Sequence, residues 1–392
     1  MQDRPMAGPI HYEVYVRKSA PSSWTLLIAT EDRKHAIETA EDQLNDRLAV
    51  ASRVTKETLD PDTMEFASVT VLTRGAPEVK RKPKIQDDRT GPGCRGVQDL
   101  YTPHARDLIG RVLEDWLTRQ GATTFELLHR PDLAERLEAS GVELQHAIQK
   151  VAVPESQATG QEVHGVVRHY QKLTEQAMAR LRKAGRDGLF PALDDRSIAD
   201  LAHRLTGAPD RALRMGGDVA GALKDRRGAR DRLTVLMDLM DAAPADGPPR
   251  ALVVVVVEQI VAEMLAVRTN LTEILGPSLD QGANLAAIVR MVAPDEMDAL
   301  LRMDPRLALM MPQVEGPAAR LGLHLASGEF PLLAASLARL VTRELTSQRR
   351  LRPHDPVGEI DILRLLAMAL TASAGRLLTL EEVQTAFVER SK

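Results

Sequence analysis

One uninterrupted apolar run constrains the fold of this chain more than any other feature. Seven residues from Ala251 to Val257 are apolar, and the last five of them are valines. Valine favours strands because its branched side chain fits a pleated surface. The apolar pattern nevertheless continues with helical spacing as far as Val267, and Pro248 and Pro249 suit the first turn of a helix. We therefore predict a helix over 250–267.

This helix is expected to lie in the centre of a helical domain. Its first two turns, Leu252–Val257, are apolar on all sides, which predicts burial among other helices. Glu258, Gln259 and Glu263 are predicted to open to solvent. The substitution Val255→Asp should then bury an unpaired charge and unfold the C-terminal region. The segment is too short, and its second half too charged, to span a membrane.

Composition narrows the class of protein. A chain of 392 residues has room for two or three domains. A net charge of −4 gives no general attraction to nucleic acids or membranes. Aromatic residues make up 3%, which is low for a protein that stacks bases or sugars. The single cysteine excludes an internal disulfide. We predict neither a signal peptide nor a transmembrane span, and expect a cytoplasmic protein.

Residues 10–75 form a small α+β domain according to the sequence. Alternating and β-branched runs separated by turn residues predict the order ββαββ. This order is typical of a four-stranded, mostly antiparallel sheet with one helix on one face. The other face, or an edge, is then available to a partner or to a second copy. The strands of this domain are predicted at 11–16, 24–28, 50–58 and 64–73, and its helix at 33–48.

The remainder is predicted to be a linker and then helices throughout. Residues 76–97 are polar and rich in charge, and we interpret their basic cluster, Lys80–Lys84, as part of a solvated linker. Residues 98–190 are predicted to be a helical subdomain. Residues 191–392 are predicted to be a helical domain built around the 250–267 helix. Since no fixed repeat is present, a compact bundle or an irregular stack of helix pairs is favoured over a regular solenoid.

One set of residues has the chemistry of a metal site. The order His324, His354-Asp355 and Asp361 resembles the ligand order of HD-type phosphohydrolases, which are also helical. The resemblance implies a divalent metal and hydrolysis of a phosphorylated molecule. In that family the His-Asp pair lies within a helix, whereas here it lies in a loop-like stretch and the last aspartate follows closely. The competing interpretation is that Asp355 caps the helix that starts at Val357.

A second set has the chemistry of an anion site. Cationic side chains that surround Gly216-Gly217 have the charge to hold a phosphorylated ligand such as a nucleotide. An ordinary exposed helix–turn–helix surface is the favoured interpretation. Cys94 lies within a flexible glycine-rich stretch, Gly91–Gly96. Because no histidine partner is indicated, catalysis through it is not expected. The cationic candidates are Arg211, Arg214, Lys224, Arg226, Arg227 and Arg230.

The functional prediction follows from the lack of any convergent polar motif. We expect a non-enzymatic bacterial scaffold or regulatory adaptor, located in the cytoplasm. It would act through protein–protein contacts as a homo-oligomer, without a cofactor. The alternative is an all-α ligand sensor, or a metal-dependent phosphohydrolase, acting on a phosphorylated small molecule or nucleotide. Binding of nucleic acid through Lys80–Lys84 is the weakest hypothesis because the net charge is acidic.

Overall fold

A computed structural model describes most of the chain. The described residues are 10–18, 24–59, 66–76, 93–190, 193, 197–276, 280–309, 312–347 and 349–391. The chain divides into two compact units, residues 1–90 and 91–392. The predicted fold class, a small α+β domain followed by a large helical region, is confirmed. Most of the predicted linker, including Lys80–Lys84, lies outside the described residues, and the division of the helical region at residue 190 stays a prediction.

The first unit is a four-stranded sheet in which every neighbouring pair of strands is antiparallel. Its elements are β1 Ile10–Arg17, β2 Thr25–Thr30, α1 Arg33–Asn45, β3 Ala51–Leu59 and β4 Phe66–Gly75. The strand order is β2-β1-β3-β4, and the helix α1 connects β2 to β3. In β1, Val14 pairs with Ile28 of β2 on one side and with Val54 of β3 on the other.

The helix α1 covers one face of this sheet. It begins where the Asp32 carboxylate accepts hydrogen bonds from the backbone N–H of Lys34 and His35, at 2.8 and 3.3 Å. Ala36 and Ala40 are fully buried in the same cluster as Val14 and Val54. Because both helix residues are alanines, the helix axis can approach the strands closely.

Arginines stack on tryptophan beside the sheet. The guanidinium carbons of Arg17 and Arg53 lie 5.0 and 4.8 Å from the centre of the Trp24 ring, and Arg53 also lies over Tyr15. Such cation–π contacts shield the aromatic rings with the apolar stems of the arginines. The first unit thus combines a small aliphatic core with an aromatic and cationic cluster.

Residues 93–190 of the second unit form a short 3-10 helix and six α-helices joined by tight turns. The predicted break at Pro131 is present, because this proline begins a new helix. The elements are the 3-10 helix Val97–Tyr101, α2 Pro103–Val112, α3 Glu114–Gln120, α4 Thr124–His129, α5 Pro131–Ser140, α6 Val142–Thr159 and α7 Val163–Arg186.

Residues 197–391 add eleven α-helices and one further 3-10 helix. Proline stands in the first turn of several of them, where its missing N–H costs nothing. The helices are α8 Ile198–Leu205, α9 Arg211–Ala222, α10 Ala229–Asp241, α11 Gly247–Ala266, α12 Arg268–Leu275, α13 Gln281–Val292, α14 Pro294–Met303, α15 Pro317–Ala326, α16 Pro331–Thr346, α17 Pro356–Ala372 and α18 Leu380–Ser391. The 3-10 helix is Pro305–Leu309.

The largest core cluster of the second unit is continuous from α8 to α18. The helix α13 is the most enclosed element, since eleven of its twelve residues are buried. It carries Gly282 and three alanines, and small side chains let neighbouring helices approach on several sides. Its neighbours include α15 and α17.

The valine run forms a helix as predicted, but its environment differs from the prediction. Eight of the twenty residues of α11 are buried. Val255 is 47% exposed, whereas Glu258 is only 2% exposed. The expectation that the first two turns are buried on all sides is therefore wrong. So is the expectation that Val255→Asp buries a charge, because the neighbouring helices pack on the side of Val253, Val256 and Val257.

Among the described residues, no single helix has both the length and the apolarity that a membrane span requires. The helices α15 and α16 together have that length and apolarity, but the chain bends by 105° at the break between them.

Candidate functional site

The helix α11 carries buried polar groups that reach the first turns of two other helices. The Glu258 carboxylate accepts hydrogen bonds from the backbone N–H of Leu332 and Leu333, at 2.5 and 3.0 Å. These N–H groups belong to the first turn of α16 and have no partner within their own helix. Burial raises the pKa of Glu258, although the two N–H donors oppose this shift. Glu258 therefore caps a helix that lies far away in the sequence.

Glu263 makes a similar contact with α4. Its carboxylate accepts a hydrogen bond of 2.7 Å from the backbone N–H of Phe125 in the first turn of α4. The other carboxylate oxygen lies 2.9 Å from Arg106 Nε on α2, and Arg106 also donates to Gln259. Burial is the main cause that raises the pKa of Glu263 and lowers that of Arg106. Glu263 and Gln259 thus connect α11 to α2 and α4.

A second buried ionic group lies beside this one. Glu126 pairs with Arg130 one turn later, at 3.4 Å, and with Arg232 of α10. Arg232 also donates to the backbone carbonyl of Gly121. All three charged side chains are buried, and buried charges are tolerated when they are paired and hydrogen-bonded. The Glu126–Arg232 pair joins residues 98–190 to residues 197–391.

The prediction that Glu258, Gln259 and Glu263 open to solvent is therefore wrong. Glu258 is buried, and Glu263 and Gln259 bind groups on α2 and α4. One signal in the sequence points to this role, namely carboxylates within an otherwise apolar helix. It identifies neither partner, because the contacts of Glu258 and Glu263 span 74 and 138 residues of sequence.

His129 is enclosed where α4, α9 and the 3-10 helix meet. Its ring stacks on Phe125 with centroids 4.0 Å apart and meets the edge of Tyr101. Nδ1 lies 2.7 Å from the Phe125 carbonyl oxygen. Burial lowers the pKa of His129 to about 4, so the ring is neutral at pH 7. A β-carbon at Gly216 would lie 2.4 Å from this ring, so glycine permits the close approach of α9 to α4.

The residues of the predicted metal site have separate environments. His324 Nδ1 lies 2.6 Å from Glu329, which also accepts from Arg250 at 2.7 Å. Asp355 accepts a hydrogen bond of 2.8 Å from Gly358 N and caps α17. The sequence indicated this capping role as the alternative to metal binding. His354 is exposed before this cap, and Asp361 lies inside α17. Within the described residues, no three His, Cys, Asp or Glu side chains could hold a metal ion together.

The cations of the predicted anion site are spread along two helices and the turn between them. Arg211 and Arg214 lie in the first turn of α9, whereas Lys224 lies two residues beyond its end, about 15–20 Å from them along the axis. Arg214 lies 4.0 Å from Asp210. The remaining three are exposed: Arg226 and Arg227 lie in the turn before α10, and Arg230 lies in the first turn of α10. This arrangement matches the exposed helical surface that the sequence favoured.

Cys94 lies against the α6–α7 hairpin. Its backbone carbonyl oxygen is 2.7 Å from His169 Nε2. A histidine is therefore near, which the sequence did not indicate, but its contact is with the backbone. Burial, followed by the charges of Asp99 and Glu155, raises the pKa of the Cys94 thiol to about 11. The thiol is protonated at pH 7, which disfavours nucleophilic chemistry.

The outer face of α6 and α7 forms a groove of about 720 Å³. Three valines line it, Val153 on α6 and Val163 and Val167 on α7. The remaining lining side chains are amide or basic: Gln145, Gln149, His164, Arg168 and Gln171. The lining of the groove is therefore partly aliphatic and partly amide or basic. We call it the α6–α7 groove.

The helix α18 presents an exposed face that is apolar, with an acidic residue beside it. Leu380 and Val388 are 48% and 55% exposed, and Gln384 lies between them at helical spacing. The acidic residue Glu381 adjoins this face and is exposed. We call it the α18 face. Its apolar and acidic pattern complements the apolar and cationic pattern of the α6–α7 groove.

The chain was compared with known proteins at three levels. No protein-family model, no curated protein and no solved structure matches it. The candidate sites consequently depend on the geometry of the described residues alone.

Proposed function

We propose that this protein is a non-enzymatic scaffold or regulatory adaptor of the cytoplasm that acts through protein–protein contacts and assembles with copies of itself. The observation that carries the proposal is the match between the α6–α7 groove and the α18 face. In the assembly, the α18 face of one copy occupies the α6–α7 groove of the next. An amphipathic helix in an apolar groove is a common mode of recognition between proteins.

Two kinds of interaction would stabilise this contact, namely apolar burial and attraction between opposite charges. Leu380 and Val388 would leave water against Val153, Val163 and Val167, and burial of apolar side chains favours association. Arg168, which lines the groove, is suited to Glu381 beside the α18 face. Such charges at an exposed contact mainly determine orientation and the rate of association.

The two surfaces lie on different parts of the chain, which determines the symmetry. A contact between unlike surfaces is head-to-tail, and it either closes into a ring or extends as a filament. Each added copy brings the same first unit and the same exposed loops. A repeated display of this kind is what a scaffold requires.

Size-exclusion chromatography with light scattering tests the assembly. The wild-type chain should form species larger than a monomer at micromolar concentration. Val153→Glu in the groove and Val388→Lys on α18 should each give monomers. Val142→Glu is the matched control, because Val142 is exposed on α6 but does not line the groove.

Mixing the two variants tests the head-to-tail geometry. Val153→Glu keeps an intact α18 face and Val388→Lys keeps an intact groove. A mixture should therefore form a one-to-one dimer that grows no further. A wild-type chain that stays monomeric at tens of micromolar, or a mixture that stays monomeric, contradicts the proposal.

A further inference from the structure

The core of residues 93–190 is divided into two clusters with a cavity between them. One cluster includes Leu113, Leu137 and Met178, and the other includes Ile148 and Tyr170. A cavity of about 110 Å³ is lined by members of both. Its walls come from α2, α4, α5, α6, α7 and the 3-10 helix before them.

The wall of this cavity is almost wholly apolar. Leucine, isoleucine, valine, methionine and alanine supply most of it. The Thr174 hydroxyl donates to the carbonyl oxygens of Tyr170 and Gln171, at 3.0 and 2.8 Å, so its proton is already used. The Tyr170 hydroxyl donates to Glu155. The cavity is partly open to solvent, and a water molecule inside it would find few hydrogen-bonding partners. An apolar wall of this kind favours apolar molecules over water.

Small side chains keep the space open. Four alanines line the cavity, Ala105, Ala134, Ala147 and Ala177, and all of them are buried. A larger aliphatic residue at any one of them would occupy part of the volume.

We propose that this cavity is a binding site for a small, neutral, apolar molecule about the size of one aromatic ring. Its shape is set by helices on several sides, so the site is largely formed before the ligand enters. Charged molecules are excluded, because an unpaired charge in an apolar wall is costly. The site is distinct from the α6–α7 groove, which lies on the outer face of two of the same helices.

Thermal unfolding of the full chain with benzene as the probe tests the site. Benzene near its solubility limit should raise the unfolding midpoint by about 2–4 °C, since a ligand that binds only the folded state stabilises it. Benzoate at the same concentration should give no shift. Ala147→Leu and Ala177→Leu, which fill the cavity, should each abolish the benzene shift while the chain still unfolds cooperatively.

Nuclear magnetic resonance of methionine methyl groups gives a second readout that does not depend on stability. The Met178 resonance, assigned with Met178→Leu, should move on addition of benzene, whereas that of Met264 in the other core should not. Equal benzene shifts in wild type and both filled variants would overturn the proposal. So would an unmoved Met178 resonance combined with no change in the midpoint.

Discussion

The two helical regions of the second unit are built from similar short helices but packed differently. In residues 197–391 one continuous core surrounds α13, of which eleven residues out of twelve are buried. In residues 93–190 the core is divided, and only four of the eighteen residues of α6 are buried. The cavity and the α6–α7 groove both lie in this second, less filled region.

The difference shows how one chain can combine a continuous core with a divided core that leaves a cavity. The side chains of the continuous core in residues 197–391 are committed to packing against one another. Residues 93–190 keep unfilled space and exposed valines, and such features cost stability unless a ligand or partner uses them. On α11, Glu263 joins the two regions through its contacts with Phe125 and Arg106.

The largest predicted effect concerns the orientation of α11. Ile260→Asp places an unpaired charge in the closed core and should cost more than about 4 kcal/mol. Val255→Asp should change stability by no more than about 0.5 kcal/mol, because the side chain is exposed. Urea unfolding followed by circular dichroism measures both. Similar losses for the two variants would mean that the exposed and buried faces of α11 have been assigned incorrectly.

The junction between the regions is tested at Arg106. Arg106→Met removes one partner of a buried pair and leaves Glu263 uncompensated, which should cost about 3–5 kcal/mol. Adding Glu263→Gln removes that charge and keeps an acceptor for the Phe125 N–H. The double variant should therefore recover part of the loss. A double-mutant cycle in urea measures this coupling, and strictly additive losses would show that the two side chains do not interact.

The pH dependence of stability tests the burial of His129. Its pKa falls from 6.5 to about 4 on folding, so the folded state binds fewer protons between these values. The stabilising contribution is complete above pH 6.5 and is lost as the pH falls toward 4, by about 3 kcal/mol at pH 4. His129→Gln should lack this component. The difference between the two unfolding curves from pH 7.5 to 4 isolates it, and a constant difference would contradict burial.

A matched pair of enlargements compares the two cores directly. Ala286→Val adds two methyl groups to a filled core and should destabilise the chain by about 1–3 kcal/mol. Ala147→Val adds the same groups beside the cavity and should be neutral or stabilise by up to about 1 kcal/mol. Thermal unfolding midpoints compare the variants. If Ala147→Val is as harmful as Ala286→Val, the cavity is not open space.

Local signals in the sequence predicted much of the fold. Turn residues and proline positions located the strands and most helix ends, because these depend on neighbouring residues. The capping role of Asp355 was foreseeable for the same reason. Partners such as Glu258 and Leu332 were not, since that contact depends on how distant helices pack. The α6–α7 groove combines side chains of two helices, so neither helix alone reveals it.

The burial of helices was harder to predict than their positions. The valine run suggested that α11 is the most enclosed helix, yet α13 is. Enclosure depends on how many helices can approach, and glycine and alanine permit more neighbours than valine does. A hydrophobic pattern reports the affinity of a helix for the core, and it does not report the number of its neighbours.

Native-state hydrogen exchange tests the contrast between the two regions most directly. The Val388→Lys variant is suitable, because assembly would otherwise protect the groove. Amides of α13 and of the second half of α11 should exchange only through global unfolding, whereas those of α6 should exchange through local opening of lower free energy. Equal protection in α6 and α13, or slower exchange in α6, would contradict the division into a closed core and an open, binding region.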